Sequence, residues 1–193
     1  MNLKSLTIIC MFLAATVFIP AAVFAGGSAG EEEPCWPRWR GPNGDGVSTE
    51  TDWDPGALAR GPKLLWENRS MCNDVGTCVR VDRHLYGSNG FSAMLHLRCI
   101  DFYTGEMMWE QEMHRGGTVA VATAGETLLV LEDDGNLHTV EATPEAYREI
   151  SSCQLPSATG KHKWWTPPVL YRGRIYCRNY LGDLVCIDVS GER

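Results

Sequence analysis

"CIDFYTGEMMWE", residues 99–110, decides the fold. Two short runs of strand-forming residues flank Thr104-Gly105, and Trp109 closes the second run. A Thr-Gly pair between such runs marks a tight turn, because glycine takes a positive φ without steric cost. "VCIDVSGER", residues 185–193, opens the same way and reaches a similar turn, with no second run after it. Earlier in the chain, Leu64-Leu65-Trp66-Glu67 copies Met107-Met108-Trp109-Glu110. The strand that should follow Asp188 is therefore expected from residues 63–68, with Trp66 as its aromatic. An open edge strand invites aggregation, and lending the first strand to the last sheet would remove one.

These stretches belong to a repeat written three times. The first copy runs from "GTCVRVDRHLYGSNG" to "LRCIDFYTGEMMWEQ". The second is "GTVAVATAGETLLVLEDDGNLHTVEATPEAYREISSCQL", and the third "PPVLYRGRIYCRNYLGDLVCIDVSGER". Each reads as strand, turn, strand, turn, strand ending in an acid. Asp101, Glu141 and Asp188 mark that acid at spacings of 40 and 47. Leu85, Leu128 and Ile175 hold matching places one strand earlier, spaced 43 and 47. Copies one and two add an outer strand, Met107 to Gln111 and Tyr147 to Gln154, with Tyr147 expected in the role of Trp109. Four strands in such a period is propeller spacing. Leu97, Cys99 and Asp101 alternate with Arg98, Ile100 and Phe102, so neither face is purely polar, as stacking on both sides requires. The expected fold is all-β: a partial β-propeller of about three four-stranded antiparallel blades, 76–114, 116–155 and 164–193, the last completed by 63–68.

"DFYTGEMMWE" and "VCIDVSGE" resemble the repeat of pyrroloquinoline quinone (PQQ) propellers, Asp-x-x-x-Thr-Gly-x-x-x-Trp, with slight variation in spacing. "WPRWRGPNGDGVS", residues 36–48, is similar to the start of secreted bacterial members of that superfamily, relatives of the outer-membrane assembly propeller lipoprotein. The likeness covers about residues 36–193. It implies that Gly105 lets the chain turn and that Trp109 docks its ring on the neighbouring blade. Trp66, Asp101, Thr104, Gly105, Trp109 and Asp188 are then structural residues. Members that are quinoprotein dehydrogenases also carry a catalytic Asp, calcium ligands and an adjacent Cys-Cys pair beneath the quinone. No adjacent cysteines occur here, and no catalytic Asp is assignable. PQQ and calcium are accordingly not expected and stand as the alternative reading.

Residues 1–25 read as a secretory signal: Lys4 gives a positive start, Leu6 to Ile19 an apolar run too short for a membrane span, and Val23-Phe24-Ala25 a cleavage site. The apolar run has 14 residues, and cleavage after Ala25 leaves 168 of the 193. Lys4 is the only charged residue removed, so the net charge goes from −7 to −8. An acidic chain with no basic block argues against nucleic acid and against anionic membrane surfaces as partners. Residues 26–35 read as a Gly/Ser/Glu-rich linker, and 36–62 as an irregular head that Trp36, Trp39 and Trp53 pin to the body. No transmembrane segment is expected after cleavage.

Seven cysteines remain: Cys35, Cys72, Cys78, Cys99, Cys153, Cys177 and Cys186. An odd number in an exported chain leaves at least one unpaired. If the "RNYLGD" hairpin turns on Leu181-Gly182, Cys177 and Cys186 face each other within disulfide reach. Two buried thiols are the alternative, and an odd-length loop would shift the register and separate them. Asn43, Asp45 and Glu50 lie in a Gly loop without EF-hand spacing and read as a turn. His84, His96, His114, His138 and His162 show no pair at metal-ligand spacing. "KHKWW", residues 161–165, reads as a loop whose tryptophans enter the core. The function expected is an exported, non-catalytic binding or scaffolding module. Its partner is a protein or a second copy at the exposed blade faces. A PQQ-dependent dehydrogenase-like quinoprotein, or a shortened relative with little independent function, is the alternative.

Overall fold

The computed structural model describes residues 48, 51–73, 76–90, 95–113, 119–156 and 163–191. Among them run eleven strands in three antiparallel sheets. Sheet one comprises β1 (Val79–Val81), β2 (His84–Asn89), β3 (His96–Asp101) and β4 (Met107–Glu112). Sheet two comprises β5 (Val119–Ala124), β6 (Thr127–Glu132), β7 (Asn136–Glu141) and β8 (Glu149–Gln154). Sheet three has β9 (Val169–Tyr171), β10 (Arg174–Arg178) and β11 (Leu184–Asp188). Strands neighbour one another in chain order within each sheet. The fold is the expected all-β array of propeller-type blades.

The repeat read from sequence is the repeat of the structure. Asp101, Glu141 and Asp188 each end the third strand of a sheet. Leu85 opposes Ile100, Leu128 opposes Val140, and Ile175 opposes Ile187. Even the bulge repeats: register slips at Cys99/Ile100 in sheet one and at Thr139/Val140 in sheet two. Hairpins close on residues suited to them. Arg172 and Gly173 both take positive φ, 50° and 71°, the combination whose twist suits a two-residue hairpin.

Period-two alternation sends every second side chain to each side of sheet two, and both sides are buried. On one side Val119, Val121, Leu128, Val130 and Val140 pack against Val79, Tyr86, Leu97 and Trp109 of sheet one. On the other, Ala120, Ala122, Leu129, Leu131 and Leu137 pack against Ile175 and Cys177, with Trp164 and Leu155 filling the rim. Each buried Val or Leu stabilises by roughly 1.5–3 kcal/mol, so sheet two, sandwiched on both faces, is the most strongly held. Trp164 is fully buried, as expected of a core aromatic, while Trp165 stays at the surface beside Tyr180, ring centroids 5.7 Å apart. Trp53 does not pin the head: it is 66% exposed.

Candidate interaction surface

The tryptophans define how one blade meets the next. Trp109 projects from β4 toward sheet two, where its Nε1–H donates to the Thr143 carbonyl at 2.8 Å. Its ring lies between Tyr86 and Tyr147, with centroids 6.0 and 6.1 Å away. Trp66 makes the same bond one blade earlier, donating to the Phe102 carbonyl at 3.0 Å. Its ring covers Gly105, where a Cβ would lie 2.6 Å from the ring and where φ is +72°. Asn68 donates to the Gly105 carbonyl. Asp101 holds the turn from within: its carboxylate accepts from Arg83 and from the backbone N–H groups of Tyr103 and Thr104. Arg83, above all, holds that carboxyl well below the usual carboxylate range. Asp188 is lowered likewise, mainly by the Ser190 hydroxyl.

This geometry corrects two expectations. Residues 63–68 form no strand and do not pair with β11; Trp66 lies on the turn of sheet one. The copied Leu-Leu-Trp-Glu pattern reports where the ring docks, and each ring docks forward onto the following sheet. Nor does Tyr147 stand where Trp109 does. Cys99 opposes Trp109 and Thr139 opposes Ser151, so Ser151 occupies that register position while Tyr147 packs against Trp109 from the far side.

Sheet three is half covered. Ile175 and Cys177 face sheet two, whereas Val169, Tyr171 and Leu184 alternate to the other face and are exposed, Leu184 by 67%. Arg174 and Arg178 share that face and are also exposed. Among the described residues no strand pairs with the outer edge of β11. A separate cleft of about 290 Å³ lies between Ala122-Thr123 and the Thr166–Leu170 segment. No titratable side chain lines it, so it offers no general acid or base.

Among the described residues a part-buried titratable cluster is centred on His138, for which the sequence showed no partner at metal-ligand spacing. Its Nε2 meets Glu132 Oε1 at 2.8 Å and its Nδ1 meets Glu149 Oε2 at 2.9 Å. Tyr147 donates to Glu149 Oε2 and Ser152 to Glu149 Oε1. The bond to Glu132 raises the His138 pKa against its desolvation, and Glu149 adds to the rise. Ser152, then His138, lower that of Glu149. With both ring nitrogens engaged by carboxylates, His138 has no lone pair free for proton abstraction or metal binding. It is an ionic clamp on the face of β7 that also bears Val140. The available signal was its alternation phase, since a histidine on a core face needs partners.

The cysteine expectation is also corrected. β10 and β11 are joined by an odd loop, 179–183, in which Asn179 and Asp183 bond each other. Cys177 therefore opposes Val185, and Cys186 opposes Tyr176. The two thiols fall on opposite faces, Cys177 buried and Cys186 exposed, and both are free. Burial, before any other cause, pushes the Cys99 and Cys177 thiols up to about 12, which leaves them unreactive.

Residues 1–47, 49 and 50 lie outside the described residues, and with them the signal, the linker, Cys35, Trp36, Trp39 and the Asn43, Asp45 and Glu50 loop; His114, Lys161 and His162 do so too. Among the described residues no three His, Cys, Asp or Glu come together as a metal would need, and the sequence has no adjacent cysteines. Among the described residues none is assigned to PQQ or calcium. Among the described residues no helix is long and apolar enough to cross a membrane.

No protein-family model and no curated protein matches the chain. Among solved structures it is similar to a europium-containing methanol dehydrogenase: TM-score 0.64, 12% identity, over 83% of this chain and 31% of that one. The chain thus spans about a third of that enzyme's length. BamB from Moraxella catarrhalis aligns at 17% identity over 61% of this chain and 45% of its own, with a TM-score of 0.39. The β-propeller domain of Myceliophteria thermophila Cps50 (Swd1) aligns at 15% over 58% and 46%, with a TM-score of 0.32. At 12% identity the likeness to the dehydrogenase is one of fold alone. The class so defined is that of all-β, propeller-type proteins.

Proposed function

We propose that this chain is an exported member of the PQQ-like propeller repeats that works without catalysis, as a binding or scaffolding module. The observation that carries the reading is the outer side of sheet three. There Val169, Tyr171 and Leu184 form exposed apolar surface among the exposed Arg174, Arg178, Cys186 and Asp188, next to a strand edge that is unpaired among the described residues. Apolar surface of that kind, rimmed by charge, marks a protein interface. The export signal at residues 1–25 directs that surface to the periplasm or the extracellular space.

A photo-crosslinking residue at Val169 tests the reading in cells secreting the protein. A discrete adduct with the protein cleaved after Ala25 is expected, and a Gly125 control should give none. Incubation with PQQ and calcium followed by a dye-linked alcohol assay tests the opposite reading. Reproducible turnover that chelation removes would overturn the scaffold assignment.

A further inference from the structure

His138 holds two carboxylates at once, and that takes a proton. Glu132 Oε1 lies 2.8 Å from its Nε2, and Glu149 Oε2 lies 2.9 Å from its Nδ1. An ionised carboxylate accepts and cannot donate, so both ring nitrogens must donate, which only the imidazolium can do. A neutral ring keeps one N–H and turns a lone pair on the other carboxylate. The two acids are not equivalent. The Glu132 side chain is 5% exposed and that of Glu149 is 37% exposed. A carboxylate that loses its donor costs least where water reaches it, so the single N–H stays toward Glu132 and Glu149 is released.

Glu149 is the charged tie between β8 and the rest of sheet two. Its other partners, Tyr147 and Ser152, sit on its own segment and move with it. None of the six residues of β8 is buried. Its remaining side-chain ties are uncharged: the Thr139 and Ser151 hydroxyls bond each other, and Gln154 donates to the Asp134 carbonyl. A charge-assisted bond is roughly twice as strong as such neutral ones. The main-chain ladder slips at Thr139/Val140, where Val140 opposes Glu149, so it is weakest at that end. Tyr147, whose ring meets Trp109 edge-on at 6.1 Å, is held through the same carboxylate.

We propose that proton loss from His138 unlatches β8 and Tyr147 from sheet two, so that this outer strand is the pH-responsive element of the fold. Among the described residues, Glu132 from β6 and Glu149 from β8 are the charged groups that act on the ring. Tyr147 and Ser152 act on it through Glu149. Sheet one, packed on the same side, offers Tyr86 and Cys99, and burial, the largest cause for each, holds both in their neutral forms. The latch is closed while the ring carries both protons and opens as pH rises through the folded value of His138. Protonation of Glu149 opens it on the acid side. The device lies in sheet two and is independent of the exposed surface of sheet three.

Hydrogen exchange of the full chain, followed by mass spectrometry between about pH 5 and about pH 9, tests the latch. Rates are corrected for base catalysis and expressed as protection factors. Residues 147–154 should lose protection at least tenfold along the His138 titration, read independently from its imidazole nitrogens by NMR. Strands β5 and β6 should keep theirs over the same range. His138→Gln should leave 147–154 weakly protected at every pH. Glu149→Gln keeps a neutral acceptor on the exposed strand, so the opening of β8 should move to lower pH together with the ring's titration. Should His138→Gln fail to fold, that shift decides alone. The proposal is overturned if 147–154 stay equally protected through the titration, or if β5 and β6 lose protection in parallel, which is global unfolding. It is also overturned if His138→Gln keeps the original transition, or if the Glu149→Gln transition does not follow the ring.

Discussion

Trp109→Ala is expected to cost about 3–5 kcal/mol of unfolding free energy. The side chain is only 8% exposed. A buried tryptophan withdraws roughly 150–250 Å² from water. At about 25 cal/mol per Å² that is about 4–6 kcal/mol for the whole side chain, of which alanine retains the β-carbon's share. The indole N–H bond to Thr143 adds about 1 kcal/mol, since the carbonyl loses its partner at the rim. Contacts with Tyr86 and Tyr147 add about 0.5–1.5 kcal/mol per ring pair. The upper sums are not reached, because the two tyrosines can lean partway into the space. Against a total of about 5–15 kcal/mol for a domain, the loss is severe. Urea unfolding followed by far-ultraviolet circular dichroism measures it without relying on tryptophan emission. Trp109→Phe keeps most of the area and lacks the donor, so it should cost about 1–2 kcal/mol. Trp53→Ala is the control: at 66% exposure it should stay within about 0.5 kcal/mol. If Trp109→Ala costs no more than Trp53→Ala, the forward-docking account of blade assembly is refuted.

Three further outcomes are expected. Gly105→Ala should destabilise through its positive φ, worth about 1–2 kcal/mol, and through the clash of the new Cβ with the Trp66 ring; in a Trp66→Ala background only the first part should survive, and a double-mutant cycle with no coupling would contradict the contact. His138 has a raised folded pKa, so its contribution is fully present below about pH 6.5 and is lost as pH rises through the folded value. Glu149 has a lowered one, so its contribution is present above about pH 4.3 and is lost as pH falls through its folded value. Urea midpoints should thus peak between those limits, and His138→Gln should flatten the alkaline limb; an unchanged limb would show that the clamp does not titrate with folding. In native protein, Cys186 should alkylate readily and Cys177 only on unfolding; a Cys177–Cys186 cross-linked peptide in a non-reducing digest would contradict the observed register.

Reading residues 99–110 was enough to give the blade because its information is local. Alternation, a Thr-Gly turn and a terminal acid are set within a few residues, and Asp101, Glu141 and Asp188 fell on the strand ends they marked. That Trp66 and Trp109 do equivalent work was also legible, since the same four-residue pattern surrounds both. Where their rings go was not, because a ring's partner is a carbonyl 34 to 36 residues away on another sheet. Tertiary packing alone decided that Trp66 covers Gly105 instead of completing β11. One residue of loop parity moved Cys186 opposite Tyr176, since a one-residue slip turns a side chain to the other face. The His138 clamp was legible only as a histidine on a core-facing phase of β7; its carboxylate partners, 6 and 11 residues away on the two neighbouring strands, were decided by the register across sheet two.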